Sequence, residues 1–110
     1  MNAPLNEGIF LFNAGDYFRA HETWEDLWRE TEGHARPFYQ GLIHAAVGLY
    51  HLGRGNRAGA LSQLDKALQK LRQFPDSYLG VDNARLQADL CRTIEDSQPR
   101  TFQIGQIEHA

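Results

Sequence analysis

Cysteine is almost absent from this chain, in which Cys91 is the only one. A single cysteine cannot form an internal disulfide bond. Long apolar runs are absent too, since no window approaches the roughly 18 apolar residues of a membrane span. The N-terminal segment MNAPLNEG also lacks the basic residues and apolar run of a signal peptide. These absences predict a cytoplasmic protein that neither crosses a membrane nor is exported.

An excess of positive charge is missing as well. The chain has 11 lysines and arginines against 14 aspartates and glutamates, which gives a formal net charge of −3, and the basic residues are scattered. Affinity for nucleic acid depends on basic groups that displace counterions from phosphates. We therefore expect no nucleic-acid partner.

What the chain does contain is typical of one folded domain. It has 110 residues, of which 42% are hydrophobic and 23% are charged. A chain of this length buries about two thirds of the surface that its unfolded form exposes, which is enough for a hydrophobic core. The expected boundaries are a single helical domain over residues 1–97 and an irregular or flexible tail over 98–110.

Glycine and proline divide the domain into five expected helices. Helices are predicted over residues 4–13, 17–31 and 37–52, a fourth after the turn at 53–56, and a fifth that Asp82 can cap. Apolar residues recur at steps of three and four along these segments, and no convincing strand precedes the tail. The sequence predicts an all-α fold, a compact bundle of two helical hairpins and a capping C-terminal helix.

An internal repeat supports the two hairpins. A shift of 40 residues superposes five similar pairs, which are Gly8 and Gly48, Gly15 and Gly55, Ala20 and Ala60, Trp24 and Leu64, and Trp28 and Leu68. The spacing of glycine, alanine and large apolar residues resembles a tetratricopeptide hairpin, although the period is longer than the 34 residues of that repeat. Chance similarity between amphipathic helices is the alternative explanation.

Three segments in order carry a family resemblance: FNAGDYFRAHETWEDLW, PFYQGLIHAAVGLYHLGRGNRAGALSQLDKAL and YLGVD. Together they resemble the bacterial and archaeal family known as domain of unknown function 309, over about residues 10–90. The resemblance implies a small all-helical domain, and it implies no established reaction.

The helix faces suggest where a site would lie. On the second helix, Trp24 and Trp28 share the core face with Ala20, while His21 and Glu25 lie together at its edge. The third helix is apolar nearly all round except for one polar stripe. We expect the two helices to form a cleft whose candidate ligand-binding residues are His21, Glu25, Trp24, Trp28, Gln40, His44 and His51.

Three interpretations of this cluster are open. It can be a hydrogen-bonded network that only fixes the packing of the helices. It can hold a divalent metal through His21, Glu25 and His44, as in a metal-dependent hydrolase, because histidine and glutamate one turn apart can share a cation. It can line a pocket for a small ligand or a protein partner. The last is the leading hypothesis. No further cofactor is expected, and no motif supports a specific reaction. The chain can also form a homodimer.

Overall fold

The structure is a computed structural model that describes residues 2–96 and 103–107. Within these residues it contains five helices and one two-stranded hairpin. The elements are α1 (Ala3–Asn13), α2 (Tyr17–Glu30), α3 (Arg36–Gly53), α4 (Arg57–Leu71), β1 (Ser77–Tyr78), β2 (Val81–Asp82) and α5 (Asn83–Asp96). The predicted all-α bundle is confirmed.

Side-chain caps and left-handed glycines define the two hairpin turns. Asp16 Oδ1 accepts from the backbone N–H of Arg19 at 3.3 Å at the start of α2, and Asn56 Oδ1 accepts from Gly59 at 3.0 Å at the start of α4. The preceding glycines, Gly15 and Gly55, have φ values of 83° and 78°, which cost a glycine little. Both turns therefore use the same device, a left-handed glycine followed by a capping side chain.

The helices of each hairpin approach closely at a glycine. A methyl group at Gly8 of α1 would overlap the indole ring of Trp24 in α2. A methyl at Gly48 of α3 would lie 2.7 Å from Leu64 Cδ2 in α4. The positions predicted by the 40-residue shift thus make equivalent contacts, and each glycine provides the space that a large residue of its partner helix fills.

Helix α3 lies at the centre of the bundle. It packs against α2 on one side and α4 on the other, while α1 packs on α2. Half of its 18 residues are buried, including Phe38, Leu42 and Leu49. This accounts for its apolar sequence. Its length and composition also raise the question of a membrane span, but no helix among the described residues is both long and apolar enough to cross a membrane.

A short antiparallel hairpin connects α4 to α5, where no strand is predicted. Ser77 pairs with Asp82 and Tyr78 with Val81, around a turn in which Leu79 and Gly80 both have positive φ. Each strand has only two residues, too few for a pattern of alternating burial to be visible in the sequence. The buried Asn83 then secures the connection, because its side-chain amide donates to the carbonyls of Leu71 and Pro75 at 3.0 and 3.1 Å.

The segment 103–107 joins the last and first parts of the chain. Ile104 is buried, its backbone N–H donates to Asn13 Oδ1 at 2.6 Å, and its carbonyl accepts from Asn13 Nδ2 at 3.2 Å. Gln106 forms a bridge with Val81 of β2. Residues 98–102 and 108–110 of the predicted irregular tail lie outside the described residues.

Candidate ligand-binding cleft

A cleft of about 270 Å³ opens between α2 and α3, and α4 contributes to one side of it. Its wall contains both polar and apolar side chains. The lining residues are His21, Glu25, Trp28, Gln40, Ile43, His44, Val47 and Gln63. Its volume is just below the usual range for small-molecule sites, so it suits a small ligand or part of a larger one.

The α2 side of the cleft presents three polar side chains in contact with one another, His21, Glu25 and Arg29, at successive turns of the helix. His21 Nε2 lies 2.8 Å from Glu25 Oε2, and Glu25 Oε1 lies 3.2 Å from Nη2 of Arg29. The His21 Nδ1 atom faces the carbonyl oxygen of Phe18 at 3.2 Å. Both atoms that face the imidazole are acceptors, so each neutral tautomer satisfies one of them and the imidazolium satisfies both.

The α3 side presents an amide and an imidazole. His44 Nδ1 lies 2.7 Å from Gln63 Oε1, so Gln63 orients the imidazole ring. The other ring nitrogen, His44 Nε2, has no hydrogen-bond partner among the described residues. The half-buried Gln40 side chain likewise makes no hydrogen bond to any residue that the structure describes. An amide offers both donors and an acceptor. This side of the cleft can thus bind a group that has both kinds of hydrogen-bonding atom.

Trp28 forms an apolar wall of the cleft, and Arg36, which does not line the cleft, packs on its ring. The guanidinium carbon of Arg36 lies 4.0 Å from the centre of the indole ring, and Arg36 Nε lies 3.4 Å from the Trp28 carbonyl oxygen. A guanidinium over an indole face is attracted to its π electrons. Trp28 is half-buried, so part of the ring faces the cleft and the solvent.

The structure brings together five of the seven candidate residues and places two elsewhere. Trp24 is completely buried, and its Nε1 donates to the Leu5 carbonyl at 3.2 Å. His51 lies seven residues beyond His44 along α3, which is about 10 Å at 1.5 Å per residue, and it does not line the cleft. Sequence reasoning missed Gln63, since no signal separates it from other glutamines on the amphipathic helix α4.

The proposed metal ligands are not assembled in the structure. His21 and Glu25 are adjacent, but His44 is hydrogen-bonded to Gln63 instead of joining them. Across residues 2–96 and 103–107, no group of three histidine, cysteine, aspartate or glutamate side chains is placed to hold a metal ion. The three-residue ligand set therefore remains a prediction from the sequence that this geometry does not support.

The cleft continues along the α2–α3 seam as a groove. A narrow cavity of about 70 Å³ shares His21 and Val47 with the cleft. It shares Phe18 and Tyr50 with a third cavity of about 290 Å³, at the other end of the seam, which Arg54 also lines. Tyr17 borders both, and burial raises the pKa of its phenol above the ordinary 10.0, so the group is neutral at physiological pH. We call these three adjoining spaces the α2–α3 groove.

Comparison with known proteins shows the family. The family described as Domain of unknown function (DUF309) matches residues 5–63, which is more than half of the chain. The chain belongs to this family. All residues that line the cleft lie within the part that matches DUF309, whereas the YLGVD element lies beyond it.

Two relatives give the extent of the similarity. An uncharacterized protein of Aquifex aeolicus (strain VF5) is 31% identical over 87 residues, which are 78% of this chain and 26% of that protein. Uncharacterized protein YpuF of Bacillus subtilis (strain 168) is 38% identical over 74 residues, which are 64% of this chain and 42% of YpuF. This DUF309 chain thus spans less than half the length of each relative, and neither name states an activity.

Proposed function

We propose that this DUF309 chain is a cytoplasmic binding module whose ligand occupies the cleft between α2 and α3. The observation that carries the proposal is the partly sheltered Gln40 amide, which has no hydrogen-bond partner among the described residues and lines a cleft with His21, His44 and Trp28. An amide whose donors and acceptor are free in the wall of a cleft is the kind of polar group that fixes the orientation of a ligand.

The arrangement of the wall supports a ligand with both polar and apolar parts. Gln40 and His44 supply donors and acceptors on α3, the His21–Glu25 pair supplies a charge-assisted pair on α2, and Trp28 supplies a flat apolar surface. A few convergent polar groups in a mostly apolar cleft are typical of ligand sites. The ligand can be a small molecule or a portion of a protein partner.

The two tryptophans make the proposal directly testable. A set of small amides, carboxylic acids and nitrogen heterocycles should be added to ¹⁵N-labelled protein while the two indole N–H signals are recorded by NMR. We expect at least one class to shift the Trp28 signal, because that ring lines the cleft. The Trp24 signal should stay in place, because that indole is buried and bonded to Leu5.

Two variants complete this test. Gln40→Ala should weaken the response of Trp28, and Gln69→Ala, which removes an exposed glutamine on α4, should not. The proposal fails if no compound class moves the Trp28 signal, or if Gln40→Ala and Gln69→Ala respond to the compounds as the natural sequence does.

A further inference from the structure

Two arginines beside the α2–α3 groove have no carboxylate partner. The carboxylates that line the groove are already paired, since Glu25 is bridged to Arg29 and Asp16 to Arg19 at 3.6 Å. Arg54 lines the third cavity, Arg36 lies over Trp28 without lining a cavity, and neither is within salt-bridge distance of a carboxylate among the described residues. These two arginines are therefore available to bind negative charge, although the formal charge of the chain is −3.

These two arginines are held at opposite ends of the groove by aromatic rings. Arg36 begins α3 and lies over Trp28, whereas Arg54 follows the end of α3 with its guanidinium carbon 5.5 Å from the centre of the Tyr50 ring. Stacking restricts a guanidinium and leaves its N–H groups available to a carboxylate. Helix α3 has 18 residues, so the two arginines begin about 27 Å apart along its axis.

The groove is a row of three adjoining cavities. A small cavity of about 70 Å³ shares His21 with the cavity of about 270 Å³ on one side and Phe18 with the cavity of about 290 Å³ on the other. Successive side chains of an extended chain point to opposite sides, so every second side chain can enter a cavity of such a row.

We infer that the α2–α3 groove binds an extended peptide segment of a partner protein, with an acidic residue near each end and apolar residues between. At about 3.3 Å per residue, roughly eight residues of extended chain separate the positions of Arg36 and Arg54. The carboxylates at the ends pair with these arginines, the central apolar side chains occupy the cavities beside Trp28 and Tyr50, and the backbone of the peptide supplies the hydrogen-bonding groups for the Gln40 amide. The inference rests on the proposed function and names its ligand class.

Selection from a random peptide library displayed on phage tests the inference. The library peptides should be long enough to span α3 in extended form, and counter-selection should use the double variant Arg36→Glu, Arg54→Glu. Both arginines are exposed, so the variant should retain the fold, which circular dichroism checks. We expect enriched peptides that carry an acidic residue near each end of an apolar stretch.

An enriched peptide then allows a charge-exchange measurement. Arg36→Glu and Arg54→Glu should each weaken its binding about tenfold, since each replaces a charge pair with a repulsion. A peptide with lysine in place of one terminal acid should regain binding to one of these two variants. Arg72→Glu changes an exposed arginine that follows α4 and lines none of the three cavities, and it should have little effect.

Several outcomes would overturn the inference. These are the failure to enrich any peptide, enrichment of peptides without acidic ends, and binding that neither arginine variant weakens. Sedimentation showing self-association that Arg36→Glu abolishes would assign the groove to a second copy instead. If the small compounds shift the Trp28 signal but no such peptide is selected, the peptide inference fails and the proposed function stands; if both tests fail, both proposals fall.

Discussion

The first hairpin, α1 with α2, and the second, α3 with α4, share an architecture but differ in their polar chemistry. Each has a left-handed glycine, a capping side chain and a glycine that receives a large residue 16 positions later, Trp24 after Gly8 and Leu64 after Gly48. The positions equivalent to His21 and Glu25 are Leu61 and Asp65, which line no part of the cleft. The comparison separates residues that build the fold from residues that form the site.

The same difference appears at the aromatic position that follows. Trp28 in the first hairpin is half-buried and faces the cleft, whereas its counterpart Leu68 in the second is 3% exposed and belongs to the core. The same position of the repeat therefore lies in the wall of the cleft in one hairpin and in the core in the other. The following predictions test this division, beginning with the largest expected effect.

Truncating the large residue of each hairpin should be the most damaging change. Trp24→Ala should lower the free energy of unfolding by about 3–5 kcal/mol, and Leu64→Ala by about 2–5 kcal/mol, in urea titrations. We expect Trp24→Ala to cost more, because it also removes the buried hydrogen bond from the indole to the Leu5 carbonyl. Glu22→Ala, at an exposed position, is the control and should change stability by less than about 0.5 kcal/mol. Equal losses for Trp24→Ala and Glu22→Ala would contradict the orientation of α2.

Adding a methyl group at the glycine of each hairpin should be the next largest effect. Overpacking typically costs about 1–3 kcal/mol, and we expect Gly8→Ala to exceed Gly48→Ala. The added carbon at Gly8 overlaps a rigid indole, whereas the one at Gly48 lies 2.7 and 2.8 Å from Cδ2 and Cγ of Leu64 and 3.3 Å from the Ala60 carbonyl oxygen. Thermal unfolding of the two variants measures the difference. A larger loss for Gly48→Ala would contradict the closer approach of the two helices at Gly8.

Replacing His21 and Glu25 by the residue types at the equivalent positions of the second hairpin should weaken ligand binding with little effect on stability. The double variant His21→Leu, Glu25→Asp should unfold within about 1 kcal/mol of the natural sequence, because it removes a partly exposed ion pair. It should abolish the response of the Trp28 indole to compounds that bind in the cleft. Asp65→Ala, at an exposed position of α4, should change neither property. A retained Trp28 response in the double variant would remove the His21–Glu25 pair from the site.

The fold could be predicted from the sequence because its signals are local. Glycine turns, capping side chains and apolar periodicity place each of the first three helices within about two residues of its observed ends. The Leu79–Gly80 hairpin could not be predicted, because strands of two residues carry no period. Its turn also depends on a leucine with a φ of 51°, a conformation that leucine rarely adopts.

The site could be predicted only in the part that lies on one helix. His21 and Glu25 are one turn apart, so their contact follows from helical geometry alone. The contact between His44 and Gln63 joins two helices and depends on how they are rotated about their axes. Packing also decides that Trp24 is buried under α1 while Trp28 reaches the cleft, which periodicity on a single helix does not distinguish.

The contact between Asn13 and Ile104 has a consequence for the order in which parts of the protein can fold during synthesis. It joins residues that are 91 positions apart, whereas the glycine contacts of each hairpin join residues 16 apart. On the ribosome both hairpins can form before residue 104 has emerged. The hydrogen bonds between Asn13 and Ile104 can form only afterwards. Until then, water must solvate the Asn13 side chain at the end of α1, and the core site that Ile104 fills is exposed.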